Sequence, residues 1–328
     1  MGWIIKGGLA LLLLAAILVV AALVAEGLAR RRDATLYPPP EKMIAVDGRR
    51  LHIRCLGQGG PTVVLEAGGG NPAMLAFPVQ DRVARFARVC SYDRAGFGWS
   101  DPAPDGRTFE DRARELHALL AAAGEHGPYV LAGESFGGLV ARTFARLYPE
   151  EVAGVVLVDA AEEQFFFPKL AKFQAQRGQA KAYALAARLG LTRWMIVHRP
   201  QQAGLPFTMP LEERRRFAAL FNRGVPALPQ EVEAYELTPP EQRTAGGFGG
   251  LGDRPLAVIA HGKPFAGSQD WMEDGWTAGQ ARLARLSTDS ETMTATNSGH
   301  AIAQTEPDLV AQAIGRVVAK VRERGTTQ

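Results

Sequence analysis

The order in which strand-length and helix-length apolar patterns follow one another constrains this chain more than any other feature. Short apolar runs at Thr62–Leu65, Ala87–Tyr92, Tyr129–Ala132, Val155–Val158 and Leu256–Ala260 are separated by stretches long enough to hold a helix. Parallel neighbours cannot be joined by a tight turn, so strands spaced in this way predict an α/β protein whose sheet is mostly parallel and flanked by crossover helices. Met43–Val46 and Leu51–Leu56 flank a turn that opens with Asp47-Gly48, which predicts an antiparallel entry hairpin. Thr108 and Asp111 have the spacing of a capping box; Phe109, Leu116, Leu119, Leu120 and Ala123 then fall near helical spacing, and Gly124 supplies a stop. Near the end, Glu291–Ala295 reads as a last strand, and Pro307 opens a helix with Leu309, Val310, Ala313, Ile314, Val317, Val318 and Val321 on one face.

From about Glu162 to Arg254 the alternation stops. Phe165–Phe167, Tyr183–Leu191, Leu211–Phe221 and Val232–Leu237 read as helical, with no clear buried strand, which predicts an inserted helical lid. The glycine-rich return, Gly246 to Gly252, is suited to a hinge. Gating and a purely structural extension are both open readings of this insertion.

The amino-terminal part is different again. Gly7 to Ala25 carries no charge over 19 residues, about the length that spans a ~30 Å hydrocarbon layer as a helix. A signal peptide is the rival reading, with Val20-Ala21-Ala22 as a cleavage site, but the length of the run and the block Arg30-Arg31-Arg32 favour a retained single-pass membrane anchor. Those arginines outnumber the positive groups before the run, which by the positive-inside rule would keep the large domain cytoplasmic; the margin is small and the side stays open. DATLYPPPE then reads as a spacer that cannot continue a helix. The chain therefore divides into an anchor or signal segment (1–32), a Pro-rich spacer (33–41), a first part of the core (42–161), a lid (162–254) and a second part of the core (255–328).

Charge excludes one class of partner. Lys and Arg total 37 against 34 Asp and Glu, and a net charge of +3 gives no reason to expect nucleic acid. The two cysteines, Cys55 and Cys90, are too few for a disulfide framework or a four-cysteine zinc site.

The chemistry concentrates at Gly133-Glu134-Ser135-Phe136-Gly137, a G-x-S-x-G between the strand YVLA and a helical pattern containing Leu139, Val140, Phe144 and Leu147. Such a turn holds its central side chain out over the sheet edge, small neighbours avoid clashes, and the helix amino terminus favours a developing oxyanion. Ser135 is the candidate nucleophile. A serine hydroxyl needs a base, and His300, in the turn between the last strand and the closing helix, is placed on the same sheet edge. His261, at a strand end, is the competing histidine. Phe136, which follows the nucleophile, and Gly69 in Glu66-Ala67-Gly68-Gly69-Gly70-Asn71 are the candidate oxyanion donors. A phosphate-binding reading of these glycines is weaker, since no Gly-Lys-Ser/Thr follows.

In this order of parts the chain resembles the α/β-hydrolase superfamily, in its lidded serine hydrolase branch. The resemblance rests on EAGGGN, on SYDRAGFGWSD (91–101), on GESFGG and on Ser298-Gly299-His300, and covers roughly residues 42–322. It implies an α/β-hydrolase fold and no metal or organic cofactor, and it assigns Asp93 and Arg94 to a structural ion pair. It also exposes a departure. Many relatives carry the triad acid in a Gly-x-x-Asp turn after the penultimate strand, where this chain has Phe265. Asp159, at the end of VVLV and 24 residues past the nucleophile, is the first candidate; Asp270 and Asp274, in SQDWMED, are the alternatives.

Together these features predict a membrane-tethered serine hydrolase that cleaves a carboxylic ester or amide of a hydrophobic small molecule, with Phe165, Phe166, Phe167 and Trp194 supplying aromatic area in the lid. An acyltransferase or a proline-iminopeptidase-like peptidase is the alternative on the same fold. A non-catalytic membrane-bound interaction module is the alternative of another class.

Overall fold

A computed structural model of the protein describes residues 2–203, 205, 209–244, 246–264 and 270–325. Position 265, where the expected acid is replaced by Phe265, lies outside the described residues. An eight-stranded sheet organises the molecule: β1 (Lys42–Val46), β2 (Arg49–Leu56), β3 (Thr62–Glu66), β4 (Val89–Tyr92), β5 (Tyr129–Glu134), β6 (Val152–Val158), β7 (Leu256–His261) and β8 (Ser290–Ala295). The spatial order is β1-β2-β4-β3-β5-β6-β7-β8, with β2 antiparallel to both β1 and β4 and every other pairing parallel. The Asp47-Gly48 hairpin, the Thr108/Asp111 capping box and the closing helix Pro307–Gly325 all form where the sequence places them.

Strand alternation divides the core in two. On β5, Leu131 packs with the helices Phe109–Ala123 and Phe136–Leu147, whereas Val130 and Ala132 pack with Phe77–Val83 and Pro307–Gly325 on the opposite face. Both faces of the central strands are therefore apolar, as a doubly covered parallel sheet requires. Cys55 and Cys90 are register partners on β2 and β4 and form a disulfide, a pairing that counting cysteines did not suggest.

The insertion expected to act as a lid holds the helices Leu170–Arg188, Leu191–His198, Leu211–Gly224 and Leu228–Leu237. Its return is fastened: Phe248 is fully buried against Phe109 and Phe167, and Gly246 donates its N–H to Glu163, itself paired at 2.6 Å with the buried Arg142. Arg94 and Asp93 do not pair with each other. Asp93 meets His52 at 2.8 Å, while Arg94 binds Glu66 and Glu231, because successive residues after a strand point in opposite directions.

The amino-terminal helix runs Gly2–Leu36, past the expected boundary at residue 32. Nothing in Asp33–Leu36 breaks a helix, and the first proline, Pro38, restricts only the residue before it. From Ile5 on it is long and apolar enough to cross a membrane, with an 18-residue stretch of mean hydropathy 3.0 that the rest of the chain leaves uncovered.

Candidate active site

Ser135 sits at the junction of β5 and the helix Phe136–Leu147 with φ 51° and ψ −118°, a left-handed backbone that a side chain adopts only under constraint. The constraint comes from the flanking glycines. A Cβ at Gly133 would lie 2.5 Å from the Gly137 carbonyl, and one at Gly137 would lie 2.4 Å from that of Glu66, so no larger residue fits either place. The Ser135 carbonyl accepts from Gly138 and Ala161, and its N–H donates to Val158, which locks the turn against β6.

The loop after β8 brings His300 to this turn, with Nε2 2.9 Å from Ser135 Oγ. Its Nδ1 lies 2.7 Å from Asp159 Oδ2. Asp159 also has a positive φ, 43°, and is fully buried at the end of β6. Three further donors converge on it: His261 Nδ1 at 2.8 Å, Trp276 Nε1 at 2.8 Å and the His261 backbone N–H at 3.2 Å. Burial alone would raise the pKa of this carboxyl; the bonds and charge of the two imidazoles outweigh it and hold the value below the ordinary aspartate range. For His261 burial opposes the cation, but Asp159 and then Glu273, 2.9 Å from Nε2, raise its pKa. The Trp276 ring meets His300 edge-on at 5.3 Å.

Ser135, His300 and Asp159 are thus brought together, whereas Asp270 and Asp274 stand exposed on the helix Asp270–Leu283. The member of that segment that reaches the cluster is Glu273. Sequence reasoning did not single out Glu273 or Trp276. It weighed His261 only as a rival base, although the placement of that residue at a strand end on the catalytic edge was the signal for a supporting position.

The glycine loop after β3 faces Ser135. Gly68 and Gly69 both border the cavity over Ser135; a Cβ on Gly68 would lie 3.7 Å from Ser135 Cβ, and one on Gly69 would lie 3.4 Å from Phe136 Cβ. Phe136 opens its helix, where the first N–H groups have no partner within the helix. From the lid, Glu231 accepts the Gly70 N–H at 2.6 Å and pairs with Arg94 at 2.7 Å, tying the lid to this loop. Arg94 also donates to the carbonyls of Ala67 and Gly68. Burial disfavours the Arg94 cation, and Glu231 and Glu66 more than compensate.

Above Ser135 lies a cavity of about 810 Å³ whose apolar lining includes Leu75, Phe166, Leu205, Phe217, Phe221 and Trp276. Of the four aromatics expected there, Phe166 alone lines it. Phe165 and Phe167 are buried to either side of Phe166, and Trp194 is 56% exposed on the outer surface, because consecutive helical residues face different directions.

A model of the alpha/beta hydrolase fold family matches residues 61–307. The uncharacterized protein YqjL of Bacillus subtilis (strain 168) is 26% identical over 280 residues, 84% of this chain and 90% of that protein. The pimeloyl-[acyl-carrier protein] methyl ester esterase of Shewanella sp. (strain MR-7) is 37% identical over 110 residues, 33% of this chain and 38% of the esterase. Over several other curated relatives the chain spans about half of their length or less. Among solved structures, a thermophilic esterase from Thermogutta terrifontis superposes with a TM-score of 0.60 at 24% identity, covering 85% of this chain and 97% of that one, which is a likeness of fold. With the strand order, the strained serine turn and a family match over most of the globular part, the chain belongs to the α/β-hydrolase fold family.

Proposed function

We propose that this protein is a serine hydrolase that cleaves a carboxylic ester or amide of a hydrophobic small molecule and is held at a membrane by its amino-terminal helix. The observation that carries the reading is the continuous hydrogen-bonded line from Ser135 Oγ through His300 to Asp159. In this reading Ser135 Oγ attacks the substrate carbonyl as its proton passes to His300 Nε2. The oxyanion that forms meets the N–H of Phe136 and an N–H of the Gly68–Gly69 segment, with Gly69 as the assigned donor. His300 returns the proton to the leaving alcohol or amine as the carbon–heteroatom bond breaks, leaving an acyl group on Ser135. Water, deprotonated by His300, then releases the acid. Asp159 stays ionised and stabilises the imidazolium. A relative named as a methyl ester esterase supports the ester reading, and the apolar cavity supports a hydrophobic acyl or alcohol group.

A fluorophosphonate probe tests it. The wild-type chain is expected to be labelled on Ser135, and Ser135→Ala to lose both labelling and ester hydrolysis while keeping its melting temperature. Undiminished labelling of that variant would remove Ser135 from the mechanism. No labelling of the folded wild type would favour the non-catalytic membrane-bound module. Preferential transfer of the acyl group to an added alcohol would favour the acyltransferase, and release of amino-terminal proline from peptides the peptidase.

A further inference from the structure

Beyond the apolar run, the amino-terminal helix continues along the lid. Its Glu26, one residue after the uncharged stretch ends, is 4% exposed and accepts from Arg193 Nε and Nη2, each at 2.9 Å, and from Asn222 Nδ2 at 3.1 Å. Asp33 meets Arg193 Nη1 at 2.7 Å, and a Cβ on Gly190 would lie 3.3 Å from the Glu26 carboxylate. The lid segment 190–193 is therefore level with the end of the apolar run. A bilayer that holds the helix up to Ala25 must pass close to that part of the lid.

The surface at this level has the composition of a membrane interface. Leu28 on the helix and Leu191 and Trp194 on the lid are 56–59% exposed. Between helix and lid runs a groove of about 920 Å³, with Leu28, Leu36, Trp194 and Val197 on its walls and Arg32 and Arg215 beside Asp33 and Glu212. Charge is segregated in the same region: from Arg177 to Gly224 the chain has nine Lys and Arg against Glu212 and Glu213, in a molecule whose net charge is only +3. Arg177 and Arg193 are paired with acids, Arg215 lies 3.8 Å from Glu212 and the charge of Arg223 acts on Asp101, whereas Lys181, Arg188, Arg199 and Arg216 are exposed.

Tryptophan and leucine beside clustered arginines, level with the end of a membrane span, match the headgroup region better than a protein surface. We propose that this face of the lid lies on an anionic bilayer surface, with Trp194 and Leu191 among the headgroups and the basic side chains on lipid phosphates. The inference rests on the membrane-anchor reading. It also gives the lid a second role, because Leu211–Gly224 carries Arg215 and Arg216 outward and lines the catalytic cavity with Phe217 and Phe221. Esters dissolved in the bilayer would meet the cavity across one helix.

The test uses the full chain reconstituted in vesicles of phosphatidylcholine, with or without phosphatidylglycerol. Among the described residues no free cysteine competes, so Trp194→Cys takes a single fluorophore, read by quenchers attached to lipids near the headgroup. Strong quenching in the anionic vesicles is expected. Arg188→Glu and Arg199→Glu should each weaken the quenched state by roughly fivefold, with hydrolysis of a water-soluble ester unchanged. Quenching that is absent, or indifferent to both lipid charge and the reversals, would overturn the proposal. Alkaline carbonate extraction separates the two readings: a chain that is extracted fails as an anchored protein, whereas one that stays in the membrane with an unquenched label fails only here.

Discussion

His261 Nδ1 lies 2.8 Å from Asp159 Oδ2, the same oxygen that meets His300 Nδ1 at 2.7 Å, so one buried carboxylate serves two imidazoles. The other nitrogen of His261 faces Glu273, and a ring with a carboxylate on each side satisfies both only as the cation. In the proposed mechanism, a protonated His261 beside Asp159 competes with the positive charge that His300 acquires during attack. Replacing His261 by Gln is therefore expected to move the acidic limb of the rate profile to higher pH. The same variant reports on stability. Because the pKa of His261 is raised on folding, its contribution is present below the ordinary histidine value and lost as pH rises through the raised one. The melting temperature should thus fall most, relative to wild type, below the ordinary histidine pKa and least well above it. An unchanged rate profile with a pH-independent loss of stability would reduce His261 to packing.

The acid itself is open to a direct comparison. Asp159→Asn preserves shape but offers an amide where imidazole needs an anion; in serine proteases with a Ser-His-Asp triad this exchange lowers turnover about 10⁴-fold. A loss of at least about a thousandfold is expected here, against less than about tenfold, ~1.4 kcal/mol of barrier, for Asp270→Asn and Asp274→Asn. A near-wild-type Asp159→Asn beside a crippled Asp270 or Asp274 variant would move the acid to the later segment.

Much of this arrangement was legible in the sequence, for a physical reason. Buried parallel strands must be apolar, and a nucleophile turn must have glycines where Gly133 and Gly137 nearly touch neighbouring carbonyls, so both leave patterns in the sequence. What the sequence hid depends on distant pairing. Glu231 is 161 residues from Gly70, and Glu26 is 167 from Arg193; nothing local in either segment marks such contacts. The direction of each phenylalanine in Phe165–Phe167 was equally hidden, since it depends on where a short helix begins.

The disulfide makes a statement about compartment. Cys55 and Cys90 face each other across β2 and β4 with Cα atoms 4.1 Å apart, and such bonds persist in oxidising surroundings. The arginine count would instead place the domain in the cytoplasm, so the state of these two cysteines is the measurement that separates the two sides. Protein isolated under a thiol-alkylating agent is expected to carry neither label until reduced. Cys55→Ser with Cys90→Ser should cost about 2–4 kcal/mol in denaturant unfolding, given the chain length the bond closes. Two freely alkylated thiols in the native protein would return the domain to the reducing side.

Glu231 tests whether the lid supports catalysis. It reaches from the lid to the Gly70 N–H and to Arg94, whose other bonds go to the Glu66 carboxylate and the carbonyls of Ala67 and Gly68. Glu231→Ala leaves a buried donor without its acceptor and should cost about 2 kcal/mol of stability. Because the loop carries the assigned oxyanion donor, kcat should fall more than KM rises. Glu231→Gln keeps an acceptor for Gly70 and should recover part of the loss. Wild-type kcat in the alanine variant would make the tie purely structural.

On the proposed reading, substrate length is set by the cavity wall that the lid contributes. Phe166, Leu205, Phe217 and Phe221 line the space above Ser135 with carbon, and each methylene transferred from water to such a surface gains about 0.8 kcal/mol, close to fourfold. Catalytic efficiency is therefore expected to climb from acetyl to octanoyl esters of one alcohol and to level off once the cavity of about 810 Å³ is filled. The gain should appear in kcat/KM, since buried chain stabilises bound substrate and transition state together. Phe221→Ala is the matching control. It enlarges the cavity and removes contact, so short esters should be little affected while the slope over longer ones flattens. An efficiency that is level or falling from acetyl onward, in wild type and variant alike, would show that the acyl chain does not occupy this cavity.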